Sequence, residues 1–121
     1  MSRQSPMQRS LALMRERGYH CEIVEHRLHD GTTKDLFGFG DILCVHKEEG
    51  DVVIVQTTSR SNISARIKKI KESELLPVVR NAGFYIMVHG WGYLARAKAF
   101  DCKEIDMSGA AEIDEEDYRE H

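Results

Sequence analysis

The side chains able to do chemistry concentrate between Lys34 and Lys71. Asp41 opens a short apolar run, Asp41-Ile-Leu-Cys-Val-His46, and Gln56 closes a second, Val52-Val-Ile-Val-Gln56. If the two runs are neighbouring strands, an acid at the start of one and a polar oxygen at the end of the next meet across a strand spacing of about 5 Å. Such a pair suits a hard divalent cation, magnesium or manganese, which takes carboxylate, amide, backbone-carbonyl and water oxygens. Asp41, Gln56 and the carbonyl of Thr57 form the candidate set. One carboxylate is a thin supply of charge, and Asp35, six residues before Asp41, is the nearest candidate for a second. Phosphate oxygens of a ligand would complete the shell.

The second group is electrostatic. Five bases (Arg60, Arg66, Lys68, Lys69 and Lys71) and no acid lie between Arg60 and Lys71, while Ile63, Ile67 and Ile70 repeat at helical spacing. A nucleic-acid backbone passing the strand ends would meet these bases and bind with a strength that falls with salt. The plainer reading is a solvated helix face. Arg3, Arg9, Arg15 and Arg17 can extend the patch. His26 and His29 are close in sequence, but no cysteine or third histidine stands at metal-site spacing. Lys34-Asp35-Leu-Phe-Gly-Phe-Gly40 invites comparison with the kinase Asp-Phe-Gly signature, but no glycine-rich phosphate loop or catalytic-loop motif accompanies it, and the chain is too short for that fold. Its glycines are expected instead to let backbone approach the site closely, with Phe37 and Phe39 packing beneath. Gly90-Trp91-Gly92-Tyr93 offers a surface on which bases could stack, or simply an aromatic core edge.

These residues need elements to position them. Ser5-Pro6 reads as a cap and first-turn proline for an amphipathic helix over 7–17, stopped by Gly18. Alternation from His20 to Arg27 suits a strand, and Asp30-Gly31 a turn. The runs 41–46 and 52–56, joined by Lys47-Glu-Glu-Gly-Asp51, read as a hairpin whose second strand is buried on both faces. Ser61 or Asn62 is expected to cap the basic helix. A short helix over 75–81, a strand over 84–89, a turn over 90–94 and a weak strand over 103–107 follow. Helix, three strands, helix, strand is the order of an α/β layer fold, one mixed sheet covered by helices.

Composition bounds the rest. With 121 residues, 41% hydrophobic and 31% charged, the chain suits one globular domain, assigned to residues 1–107, followed by an acidic tail over 108–121. The net charge of −3 hides an uneven distribution: residues 112–121 hold six acids and one base, leaving 16 bases against 14 acids elsewhere. The tail is expected to be mobile, with a helix over 110–118 as the alternative. Cys21, Cys44 and Cys102 lack CxxC spacing and read as reduced core thiols, which, with no apolar span or leader-like start, leads to a cytoplasmic expectation.

The pattern Gly40-Asp41, then Gln56-Thr57-Thr58 on the next strand, resembles the PD-(D/E)XK nuclease superfamily, which includes restriction endonucleases and Holliday-junction resolvases. The resemblance runs over about residues 7–90 by order of elements and over these few positions by motif. It implies a restriction-endonuclease-like αβββαβ core and a magnesium-dependent endonuclease or junction resolvase acting on nucleic acid, DNA in the first place. Asp41 and Gln56 then hold the metal, and Thr58 stands at the catalytic lysine position. A homodimer is a further implication. Gln56 is tolerated in parts of the superfamily, but two departures bear on activity: Thr58 replaces lysine, and the first-helix region where a glutamate is implied reads Met7-Gln8-Arg9-Ser10, leaving only Glu16. Arg60, Arg66 or Lys34 is expected to restore the missing cation. The alternative is a catalytically inactive module of the same fold that binds nucleic acid or a protein partner.

Overall fold

The computed structural model describes residues 4–109; Arg3, most of the acidic tail and the alternative helix over 110–118 lie outside the described residues. Helix α1 (Pro6–Glu16) starts as expected, with the Ser5 hydroxyl accepting from Gln8 N at 3.2 Å and Pro6 in the first turn. Five strands form one mixed sheet: β1 (Tyr19–Ile23), β4 (Ile42–His46), β5 (Val52–Ser59), β6 (Tyr85–Leu94) and β7 (Ala99–Asp106), in that spatial order. All neighbours are antiparallel except β5 and β6. That parallel pair needs a crossover, supplied by a 3-10 turn (Arg60–Asn62), α2 (Ile63–Lys71) and α3 (Leu76–Asn81). Two short strands, β2 (His26–Arg27) and β3 (Thr33–Lys34), pair with each other beside the sheet.

Period-two alternation divides the sheet's contacts between two cores. Leu11 and Met14 of α1 pack with Cys21, Ile42, Cys44, Val53 and Val55 on one face. Ile63, Ile67 and Ile70 of α2 pack with Ile54, Ile86, Val88 and Phe39 on the other. Each apolar side chain so buried contributes about 1.5–3 kcal/mol. Because β5 carries both cores, Val53, Ile54 and Val55 are all buried, as the run of β-branched residues implied.

Several expectations change. The alternating run 20–27 is two strands, because β1 leaves the sheet after Ile23 and the chain turns into the β2–β3 hairpin. Residues 90–94 continue β6 rather than turning, and β7 is correspondingly longer than 103–107. The glycines there serve packing: a Cβ at Gly90 would lie 2.2 Å from Ile63 Cδ1. Side chains of Ser61 and Asn62 make no cap bond, since Asn62 ends the 3-10 turn and the chain enters α2 directly. Cys21 and Cys44 are buried thiols facing each other across β1 and β4, whereas Cys102 is half-buried on β7. No described helix is long and apolar enough to cross a membrane.

Candidate metal and phosphate site

The end of the sheet where β5 finishes and β4 begins carries a cavity of about 360 Å³. Asp41 immediately precedes β4, and its backbone N donates to Val55 O at 2.9 Å, extending the ladder by one residue beyond the Ile42–Val55 pair. Asp41 and Gln56 therefore occupy facing positions, and Gln56 Nε2 donates to Asp41 Oδ2 at 2.7 Å. Thr57 N donates to the same oxygen at 2.9 Å, and Thr57 Oγ1 lies 3.3 Å from it. The Thr57 carbonyl accepts a long contact from Gln56 Nε2 at 3.4 Å. Asp41, Gln56, Thr57 and Thr58 are all buried and all line the cavity.

Local backbone explains how the second acid arrives. Leu36 and Gly40 exchange two backbone hydrogen bonds of 2.8 Å, closing a tight loop whose turn residues Phe37 and Gly38 have φ of 57° and 85°. The residues flanking that bridge are Asp35 and Asp41, so the loop sets the two acids side by side. Gly40 is required because a Cβ there would lie 2.6 Å from Ile54 Cγ2. Phe39 is fully buried beneath the loop, while Phe37 packs partly against the same core.

A third carboxylate comes from a residue that the sequence pattern left unmarked. Val24 N donates to Asp41 O at 2.9 Å, which carries the β1–β4 pairing past Ile23 and leaves Glu25 beside the site. Carboxylate oxygens of Glu25, Asp35 and Asp41 lie within 4.8 Å of one another. In the sequence Glu25 falls on the same side as Cys21 and Ile23 in the alternating run 20–27, and that it lies beside Asp41 depends on the β1–β4 register. Glu16 stands at the opposite end of α1 from Ser5, Pro6 and Met7, which line the cavity, and so does not supply the missing glutamate.

The basic helix splits into roles. Arg66 and Lys69 line the cavity, and Lys69 Nζ donates to Asp35 Oδ2. Lys68 faces a separate surface cavity near Gly38 and Glu72, and Lys71 is exposed. Arg60 turns away to Asp101, 2.7 Å from Oδ2, because it lies in the 3-10 turn under Gly92 rather than on α2. Lys34 is exposed on β3. Of the cations expected to replace the one missing at Thr58, Arg66 reaches the cavity, while Arg60 and Lys34 do not line it. Lys69, expected only as a backbone contact, reaches it as well.

Burial pushes the Asp41 carboxyl up to about 6, with Asp35 and Glu25 adding to the rise and the Thr57 amide and Lys69 opposing it. Gln56 Oε1 is buried without a hydrogen-bond partner among the described residues. A desolvated acid, two neighbouring acids and an orphaned buried oxygen fit a hard cation, which prefers oxygen donors. The charge balance fits too. Three carboxylates and two bases sum to −1 when all are ionised, and a divalent ion would bring the site to +1, matched to one phosphodiester. In comparisons with known proteins, no family model, curated protein or solved structure matches this chain.

Proposed function

We propose that this chain is a nucleic-acid-binding protein of restriction-endonuclease-like fold that hydrolyses phosphodiester bonds with magnesium or manganese. The succession α1, β1, β4, β5, α2, β6 supports the αβββαβ core, with the β2–β3 hairpin and α3 as insertions and β7 appended. The observation that carries the function is the joint placement of Asp41, Asp35, Glu25 and Lys69 around one open cavity at the β5 end. Asp41, Asp35 and Glu25, with the Gln56 amide oxygen and the Thr57 carbonyl beside them, would hold the cation, which supplies Lewis acidity to a water and to a phosphate oxygen.

The chain's own residues do the rest. Lys69 enters from α2 into the cavity that Thr58 also lines, and Asp35 orients its ammonium. From there it can stabilise negative charge developing on phosphate oxygens, a contribution that is large in a partly desolvated site. Arg66, one helical turn earlier on the same side of α2, binds and orients the phosphate. The first turn of α1 adds the positive end of its dipole. Lys68 and Lys71 meet the backbone farther along.

Purified protein incubated with branched, single-stranded and duplex DNA and RNA in magnesium or manganese tests the proposal. Metal-dependent cleavage that disappears in Asp41→Ala while binding persists is the expected result. Salt-sensitive binding without cleavage would favour the inactive module, a reading supported by Thr58 at the lysine position and by the Gln56 amide holding Asp41. Absence of both binding and cleavage would end the nucleic-acid reading.

A further inference from the structure

β5 and β6 run parallel with Ser59 opposite Trp91, so β6 continues past the cavity end of the sheet and returns as β7. Trp91 is half-buried and tied to α1: its Nε1 donates to Ser10 Oγ at 2.9 Å. Tyr93, the next residue outward on that face, is not. It is 57% exposed and meets its cross-strand partner Phe100, 44% exposed, edge-on with ring centroids 5.4 Å apart. The guanidinium of Arg9 sits 3.6 Å from the centre of the Phe100 ring. One turn before Arg9 on α1 are Pro6 and Met7, which line the acidic cavity, so the aromatic pair and the cavity flank the same helix start.

Charge and backbone conformation single out the same hairpin end. From Tyr93 to Phe100 there are two bases, Arg96 and Lys98, and no acid, all of these residues exposed. Lys98 occupies the left-handed region, φ 51°, in the four-residue turn between Leu94 and Ala99. Glycine fits that conformation without the steric cost a lysine carries, so an expensive position is occupied by a positive charge. Exposed aromatic rings with cations around them are the pattern that takes a nucleic-acid strand whose bases are accessible, since each base has a face to stack and each phosphate a charge to pair.

We infer that the end of the β6–β7 hairpin is a stacking platform on which Tyr93 and Phe100 hold unpaired bases of the strand whose phosphate occupies the acidic cavity. The inference rests on the nuclease-like reading of that cavity and narrows its substrate class to nucleic acid with an unpaired segment beside the attacked phosphate. Tyr93 supplies the open ring, and Arg9 fixes the other. Arg96 and Lys98 grip the phosphates on the outer side.

Fluorescence anisotropy on the full chain tests it, with calcium replacing magnesium and three labelled probes: a 20-nucleotide oligothymidine, the same strand with abasic sites, and a 20-base-pair duplex. Tyr93→Ala should weaken the oligothymidine complex roughly tenfold, the order expected for one stacked base, and leave the abasic and duplex probes unchanged. Tyr93→Phe should bind like the parent chain. Lys98→Gly, which suits the turn, should lower affinity for the oligothymidine and abasic strands together and flatten their salt dependence. Equal oligothymidine affinity of Tyr93→Ala and parent, or an equal loss on abasic strand, would overturn the platform. If the parent chain still binds the duplex, that result removes the platform alone. If the parent binds no probe, the reading of the cavity falls with it.

Discussion

Asp41 carries its charge where the fold disfavours it. In an unfolded chain its carboxyl titrates near 3.8 and in the fold near 6, mainly through burial. The folded state therefore holds the proton more tightly between those values, so Asp41's contribution to stability is fully present below about 3.8 and is lost as pH rises through about 6. Asp41→Asn removes that penalty while keeping an oxygen for the Gln56 and Thr57 donors. In metal-free buffer, chemical denaturation should show the variant equal to the parent near pH 4 and more stable by up to about 3 kcal/mol above pH 6.5. Under the proposed function, magnesium should raise the melting temperature of the parent and leave that of this variant unchanged. A stabilised protein without metal response is the signature of an acid kept for its function.

Lys69 makes a separate prediction at the same scale. Lys69→Met retains the length of the side chain and removes the charge. Single-turnover cleavage should slow by roughly 10²–10³-fold, the range seen when one preorganised charge-stabilising donor is lost. Substrate affinity should change much less, because Arg66, Lys68 and Lys71 remain. Lys69→Arg should recover part of the rate. Equal rates for the parent and Lys69→Met would move the cation's role to Arg66.

At the scale of elements, helix α1 is tied to the β6–β7 hairpin by a polar chain buried at Ser10 and His89 and open to solvent at Arg17. Ser10 Oγ bonds His89 Nδ1 at 2.8 Å, His89 Nε2 lies 3.0 Å from Glu104 Oε1, and Arg17 holds both Glu104 oxygens at 2.6 and 2.9 Å. The contacts of His89 and Arg17 hold the Glu104 carboxyl down to about 2. Its stabilising contribution is therefore present above about 4.5 and lost as pH falls through about 2. Glu104→Gln should cost about 1 kcal/mol at neutral pH, discounted for the solvent-exposed side of the Arg17 pair. Because the start of α1 lines the cavity, cleavage should fall with it. The α2 crossover has a tighter constraint: Gly90→Ala would drive a Cβ into Ile63, and urea unfolding should show a loss of about 1–3 kcal/mol.

At the scale of the whole molecule, the cavity, the outer face of α2 and the hairpin end lie along one end of the sheet. Under the proposed function, the bases there, not the net charge of −3, would meet the polyanion. Three to four phosphate contacts predict a duplex affinity falling with salt at a slope near −3 in logarithmic units. A salt-independent affinity would remove backbone neutralisation from the account.

The meeting of Asp41 and Gln56 was legible because it depended on short-range rules. A period of two and a tight hairpin oblige an acid before one strand and an amide at the facing position of the next to meet. Isoleucines at helical spacing likewise fixed the buried side of α2, and Ser5-Pro6 the start of α1. Tertiary structure alone decided three other matters. Glu25 joins the acids because β1 pairs with β4 in one register. Lys69 reaches the cavity, and Arg60 does not, because of where α2 begins after the 3-10 turn. Tyr93 is exposed and Trp91 held because β6 outlasts β5, a length that depends on β7 pairing with it. Each of these turns on which segments become neighbours across long stretches of chain, and spacing along a sequence carries little of that information.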